Sequence, residues 1–514
     1  MKWTSHKKWA MLMTVHMLWG LALYLSISKY GLGISTDSTH LLFAALNLSR
    51  GQGLYSFDGS FVALWPPLYP ALLAFIQLVL RVDPFVAATI LQFLAFGGIS
   101  ICLSLLFLKI FPESFWLALA ASVLSDIGAV SLDVFTFVDS DYVHLFFVVL
   151  FILLAGYYLK GKSARTLFAM SAVGMLAMLQ RYLGVAVIAT GVVLVFFFTD
   201  GRLGRRILRS GLMGLAALPT GIWLWVTAPL VARRAPVSFA ENFYWFSRSI
   251  MEWFVQIQAT RPHLNPYIVG LWLFIGILVG LLFLLSARPN AFSAFEVSLF
   301  SYGIFYVLAL FASASIAYYN KLSGRFLLPI YIPLMTLAVA VVGLLMERAQ
   351  RSASRLLRRL ISAGLTAAVL AAAVGLLRVT LPLFLETRTA GAPGSFTTEA
   401  WHENRVMNYW LAHEPPGNYL LFSNYPDGVA FYTWHDCYNS PAEYSGPYGK
   451  TKFPVTDYSA QLFSSGLDVY LIWIEPNIYP YYYTAQDLGP IAQIEPLFVN
   501  QDGGVYRLVP KGAP

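Results

Sequence analysis

Charged side chains are scarce in this chain. Asp, Glu, Lys and Arg make up 12% of its 514 residues, against about 25% in a typical soluble protein. That density cannot cover a water-facing surface, so a soluble globular enzyme is excluded. Cysteine is nearly absent as well. Cys102 and Cys437 are the only two, which excludes a disulfide framework, and Cys102 sits in an apolar stretch as a packing residue. No internal repeat or low-complexity tract is found, which weighs against the paired repeats of a secondary transporter. The net charge of +8 is not a nucleic-acid signal, because its Arg and Lys fall in short runs between apolar segments, as cytoplasmic loops do.

What the chain has in abundance is apolar sequence, 58% of all residues, in long stretches from one end to the other. This is the pattern of a polytopic α-helical membrane protein. Lys2, Lys7 and Lys8 place the N-terminus in the cytoplasm. The stretch that follows has no small-residue cleavage site and is expected to stay as an uncleaved first span, Trp9 to Ser28. The next apolar run, Pro67 to Leu80, reaches only about 21 Å against a hydrocarbon core of about 30 Å. It is expected to lie in the outer interface or to be re-entrant. Further spans are expected at Phe85–Leu108, Glu113–Ser131, Tyr142–Leu159, Thr166–Gln180, Leu183–Phe198, Ser210–Leu230, Tyr267–Ser286, Ala294–Ser315, Phe326–Met346 and Leu360–Leu385. About eleven spans from a cytoplasmic start put the C-terminus outside, and the basic loops agree in turn. Arg233 and Arg234 dissent, falling on the outer side.

The expected organisation is therefore a transmembrane domain over residues 1–385, with an outer loop at 29–84, and an extracytoplasmic α/β domain over 386–514. In the latter, "NYLLFSN" and "DVYLIWIEP" read as buried strands, "PDGVAFYTW" as a short helix opening at a proline, and "DGGVYRLV" as a hairpin or terminal strand.

Ionisable residues near membrane depth are expensive and are functional candidates by default. Asp37 and His40 follow the first span; Asp126, Asp133, Asp139 and Asp141 crowd the outer end of the third and fourth; Arg181 interrupts an apolar hairpin; Lys321 and Arg325 precede the tenth. Asp37 sits in "STDSTH" at the start of an amphipathic stretch, where it serves as an N-cap or as a desolvated general base. Asp139 and Asp141 either cap a helix or share a divalent cation, Mg or Mn, through hard oxygen ligands. Arg181 and Arg325 either snorkel or grip a phosphate through a charge-assisted fork. His40 and His144 read as packing or hydrogen-bonding residues first. "YPYYY", 479–483, offers rings that stack on sugars or fill a core.

These residues in this order resemble the GT-C superfamily of membrane glycosyltransferases, in the branches of the protein O-mannosyltransferases and the lipid A aminoarabinose transferases. The resemblance rests on "DSTHLLFAALNLSRGQGLY" followed by "WPPLYPALLAFI", which contains Tyr69, on "SDYVHLFFVVLFILLAG", on "QRYLGVAVIATGVVL" and on "GRFLLPIYIPL". It covers about residues 10–345. It implies a polyprenyl-phosphate sugar donor, transfer at the outer face of the cytoplasmic membrane, a catalytic role for Asp37, a supporting acidic role for Asp141, and lipid-phosphate contacts at Arg181 and Arg325. With these go Lys321, His40 and Tyr69 as substrate-binding candidates and a protein, lipid or glycan acceptor. Ser38 stands where many relatives carry a second acid. The competing readings are a transporter or lipid flippase, and a non-catalytic assembly protein on the same scaffold.

Overall fold

The structure, a computed structural model, describes residues 5–230, 236–254, 272, 275–276, 292–317, 322, 324–352, 354–444 and 451–511. The chain divides into two compact units. The first comprises Met1–Ser28, Ala63–Leu72 and Ala88–Arg388; the second comprises Lys29–Val62, Leu73–Ala87 and Thr389–Pro514.

Among the described residues up to Ala390, the α-helices in chain order are α1 (Ser5–Ile27), α2 (Thr36–Ser49), α3 (Leu68–Leu80), α4 (Pro84–Ile110), α5 (Phe115–Asp126), α6 (Ala129–Phe135), α7 (Ser140–Gly161), α8 (Ala164–Gln180), α9 (Val185–Phe198), α10 (Leu203–Leu215), α11 (Leu218–Thr227), α12 (Phe239–Met251), α13 (Ala294–Ala314), α14 (Gly324–Ser352) and α15 (Arg355–Ala390). Among the described residues, α1, α4, α7, α13, α14 and α15 are long and apolar enough to cross a membrane. The count reaches eight if the bent pairs α5–α6 and α10–α11 each form one span. The protein is a multi-pass membrane protein. The span expected at Tyr267–Ser286 lies outside the described residues, as do Arg233 and Arg234. Those expected at Thr166–Gln180 and Leu183–Phe198 are the shorter helices α8 and α9. The 13-residue α3 is too short to cross, as its length requires.

The span expected at Glu113–Ser131 is broken. α5 and α6 meet at 52°, and the carbonyls freed at the break are met by side chains from other helices of the same unit. Tyr331 of α14 donates to Leu124 O, and Thr380 of α15 donates to Ile127 O. The Asp126 carboxylate pairs with His16 of α1 at 2.7 Å. Unmet backbone groups are not tolerated in an apolar interior, so these contacts are what permits the break. Helix pairs elsewhere close on glycine. A Cβ at Gly156 of α7 would run into Phe295 of α13, and one at Gly98 of α4 into Phe146 of α7, as expected where small residues let helices approach.

In the second unit a five-stranded sheet runs in the order β2-β1-β3-β5-β4, formed by β1 (Tyr419–Ser423), β2 (Tyr438–Asn439), β3 (Asp468–Ile474), β4 (Ala492–Asn500) and β5 (Gly503–Pro510). β2, β1 and β3 are parallel, while β5 pairs antiparallel with β3 and β4. The period-2 alternation of β3 splits the core in two. Tyr470, Ile472 and Ile474 face one cluster, Val469, Leu471 and Trp473 the other. The first cluster also contains Phe43 of α2 and Phe57 of the loop after α2, together with Trp410 and Val429. The loop after the first span thus supplies core to the C-terminal sheet.

The strands expected at 418–424, 468–476 and near 503–510 are β1, β3 and β5, and the expected short helix is Pro426–Thr433. The sequence reading has no counterpart to β4. Its Pro496 demotes it as a strand, yet β4 is an edge strand with a register shift between Pro496 and Phe498, where a missing N–H costs little.

One position tests the tight turn between β4 and β5. Gly503 has φ +125, and a Cβ there would strike the Trp473 backbone carbonyl. Gly503→Ala is expected to cost about 1–3 kcal/mol, seen as proteolysis of the C-terminal segment at lower temperature than in wild type. Unchanged resistance would mean that the turn adapts.

Candidate functional site

In the first unit the ionisable candidates gather at the N-terminus of α7. Asp139 is the N-cap, accepting from Ser140 N at 2.6 Å, and Asp141 lies in the first turn, where negative charge is favoured. Two arginines reach them from different helices. Arg325, at the start of α14, pairs with Asp139 at 3.0 Å. Arg181 pairs with Asp141, lies 3.6 Å from Asp139, and donates to Ser140 Oγ at 3.4 Å. Both guanidinium groups lie over the Phe326 ring, at 5.6 and 5.2 Å, an arrangement that suits a planar cation.

Local sequence explains how Arg181 gets there. Its backbone is extended, φ −149 and ψ 142, and it separates α8 from a single 3-10 turn, Tyr182–Gly184. Gly184 allows the close return, because a Cβ there would meet the backbone of Ala177 and Met178. Gln180 fixes the same corner by donating to Ser140 O at 3.2 Å. His144 donates from Nδ1 to Ala177 O at 3.1 Å.

Exposure separates the charged groups. The Asp139 and Asp141 side chains are 9% and 4% exposed and Arg181 is 16%, whereas Arg325 is 37% exposed. Arg325 is therefore the arm most open to a ligand. Tyr69 belongs to the same unit and is buried, its hydroxyl unpartnered among the described residues. Burial and then the charges of Asp139 and Asp141 push its pKa above the ordinary phenol value, so it keeps its proton as a donor. Lys321 lies outside the described residues. Asp126 does not join the cluster; it pairs with His16 at the α5–α6 break.

Asp37 and His40 belong to the second unit. The N-cap of α2 is Ser35, in a reciprocal capping box with Ser38. Asp37 is therefore not the cap. It sits half-buried in the first turn. One turn further on, His40 meets Ser56 Oγ at 2.5 Å through Nδ1 and the Asp427 carboxylate at 3.6 Å through Nε2, over the Phe57 ring at 4.9 Å. Thr39 donates to Asp427 O at 3.2 Å. Burial raises the Asp427 pKa, with His40 opposing.

Sequence reading missed Phe326, Gln180 and Asp427. Phe326 adjoins Arg325, and an aromatic beside a membrane arginine is a readable signal. Nothing local marks Asp427 as a partner of His40.

A divalent cation at Asp139 and Asp141 fits poorly. A hard cation takes about six or more oxygens, while these two carboxylates already face two guanidinium groups. Among the described residues no group of three or more His, Cys, Asp or Glu is placed to hold a metal.

Comparison with known proteins gives the fold. No family model and no curated protein sequence matches the chain. Among solved structures, ArnT from Cupriavidus metallidurans bound to undecaprenyl phosphate aligns with a TM-score of 0.60 at 11% identity, over 97% of this chain and 98% of that one. Its apo form aligns with a TM-score of 0.60 at 12% identity, over 98% of each. The mycobacterial arabinofuranosyltransferase AftD aligns with a TM-score of 0.53 at 11% identity, over 100% of this chain and 40% of that one. The chain has the fold of the GT-C glycosyltransferases.

Two measurements test the site's electrostatics. Arg181→Gln leaves Asp141 buried beside one fewer cation and is expected to cost about 3–5 kcal/mol, read as a lower Tm in detergent; an unchanged Tm would show that the cluster tolerates the loss. At Asp427 the folded pKa is raised, so the folded state holds the extra proton, and the group's contribution is fully present below the ordinary carboxylate pKa and lost as pH rises through the folded value. Asp427→Asn is therefore expected to gain relative to wild type as pH rises from 4 to 7 in a Tm series. A constant difference would remove Asp427 from the pH response.

Proposed function

We propose that the protein is a glycosyltransferase of the cytoplasmic membrane that moves a sugar from a polyprenyl-phosphate donor to an acceptor on the outer face, with inversion, using Asp37 as general base. The observation that carries this reading is the arginine pair, Arg181 and Arg325, held at the N-terminal end of a membrane helix on a GT-C fold. A lipid phosphate needs a charge-assisted fork beside apolar helices, and arginine provides it. The ArnT structure bound to undecaprenyl phosphate supports the donor class by analogy.

On this reading the acceptor hydroxyl or amine attacks the anomeric carbon as its proton passes to the Asp37 carboxylate. The bond from that carbon to the phosphate oxygen breaks, and its electron pair leaves on the polyprenyl phosphate. Arg325, the more exposed cation, takes the developing charge, with Arg181 behind it and the Tyr69 hydroxyl as an added donor. Lys321 adds a further cation on sequence grounds. Asp139 and Asp141 hold the two guanidinium groups in place, and His40 steadies the first turns of α2, which carries Asp37. No step is assigned to a metal. The N-terminus is cytoplasmic and the C-terminal sheet extracytoplasmic.

The test is release of polyprenyl phosphate from short-chain polyprenyl-phosphate sugars by purified protein, with a membrane extract as acceptor. Asp37→Asn is expected to lower turnover by about 10²–10⁴-fold at unchanged Tm. Arg325→Lys keeps the charge but loses the fork, and is expected to raise the donor KM by about tenfold. Equal turnover by wild type and Asp37→Asn would remove Asp37 from the chemistry, and no release from any donor would overturn the reading.

A further inference from the structure

The second unit contains a cavity of about 320 Å³ where the end of α2 meets the corner between α3 and α4. Arg50, Gln77, Leu78, Val82, Asp83 and Trp434 are among the residues that line it. Its size is at the lower end of ligand pockets. Gln77 is 6% exposed, and its amide Nε2 has no hydrogen-bond partner among the described residues. A buried donor left unmet is costly, and a ligand oxygen would recover the lost hydrogen bond. The backbone around the cavity is strained as well. Trp434 is held at φ 54, and Arg81, just before Val82, at φ 56. Bulky side chains rarely adopt that conformation, and such outliers cluster at functional sites.

We infer that this cavity binds one sugar ring of a glycan acceptor, an inference that rests on the proposed glycosyl transfer. A sugar presents hydroxyls that both donate and accept, together with an apolar ring face. The cavity offers both kinds of partner. Arg50 and Gln77 supply N–H donors. Asp83 supplies a carboxylate whose Oδ1 already caps α4 through Phe85 N at 2.8 Å and Val86 N at 2.9 Å. Trp434, Leu78 and Val82 supply the apolar wall. With one carboxylate and one guanidinium in the lining, the cavity is near neutral, which disfavours an anionic headgroup and suits a sugar. The place suits a membrane-borne glycan. Pro84 opens the membrane helix α4, and on α3 Phe75 and Val79 are 63% and 59% exposed, an apolar face for the hydrocarbon edge. Asp37 lies in the first turn of α2 and Arg50, 13 residues on, is its C-cap, so the cavity is about 20 Å along that helix from the base. It is a remote subsite that selects extended acceptors.

The experiment uses the full chain in nanodiscs and saturation-transfer NMR with glucose, galactose, N-acetylglucosamine and arabinose as probes. At least one sugar is expected to bind saturably, with affinity at least tenfold lower in Gln77→Leu and in Arg50→Gln and unchanged in Asp37→Asn. Gln77→Leu removes an unmet donor, so its Tm is expected to equal or exceed that of wild type, which excludes misfolding as the cause. No saturable sugar, or equal binding by all variants, would overturn the inference. So would a phospholipid seen by native mass spectrometry to leave with Arg50→Gln, since the cavity would then hold a headgroup. Sugar binding without donor turnover would defeat only the proposed reaction; turnover without sugar binding would defeat only the subsite.

Discussion

Two carboxylates and two guanidinium groups are packed at the N-terminus of α7, and the first unit is organised around keeping them paired. Charge in an apolar interior is affordable only with a partner and well-made hydrogen bonds. Asp139 and Asp141 come from one helix, Arg181 from the break after α8, and Arg325 from the start of α14. The cluster therefore ties three parts of the chain to one point. It also gives the break at Arg181 a reason. An uninterrupted helix would carry the guanidinium past the carboxylates, whereas the extended residue and the following turn bring it back. Phe326 lies against both cations, which lowers their need for water.

A second constraint acts on the broken helix pair. The bend between α5 and α6 releases carbonyls that lipid cannot satisfy, and side chains of α14 and α15 take them up. His16 and Asp126 pair at the same place. Asp126 is thereby committed to architecture, and of the four acids of this region one holds a bend, two hold arginines and Asp133 lies on α6.

In the second unit the loop after α1 is built into the sheet. Phe43 and Phe57 fill one of its two cores, and His40 and Thr39 contact Asp427 from the short helix after β1. The consequence for the proposed chemistry is that α2, and with it Asp37, takes its position from the C-terminal segment. A base on a solvated loop would be free to turn away; one on a helix packed into a core is not.

Composition and hydropathy determined that the chain is a multi-pass membrane protein followed by a polar α/β segment, because both depend on sums over many residues. Strands β1, β3 and β5 were legible from apolar runs, and α2 from its helical spacing. Asp139, Asp141, Arg181 and Arg325 stood out singly, since a charge in apolar sequence is conspicuous by itself. Their pairing was not legible, because it depends on which helices meet. Of the two readings of Asp37, cap or base, the structure removes the cap: Ser35 and Asp37 have similar capping chemistry, and only the backbone separates them. β4 was hidden by Pro496, which only an edge position permits. The link between His40 and Asp427 was decided by tertiary structure alone: two half-buried polar side chains with no local signal are partners only once the fold has brought them together.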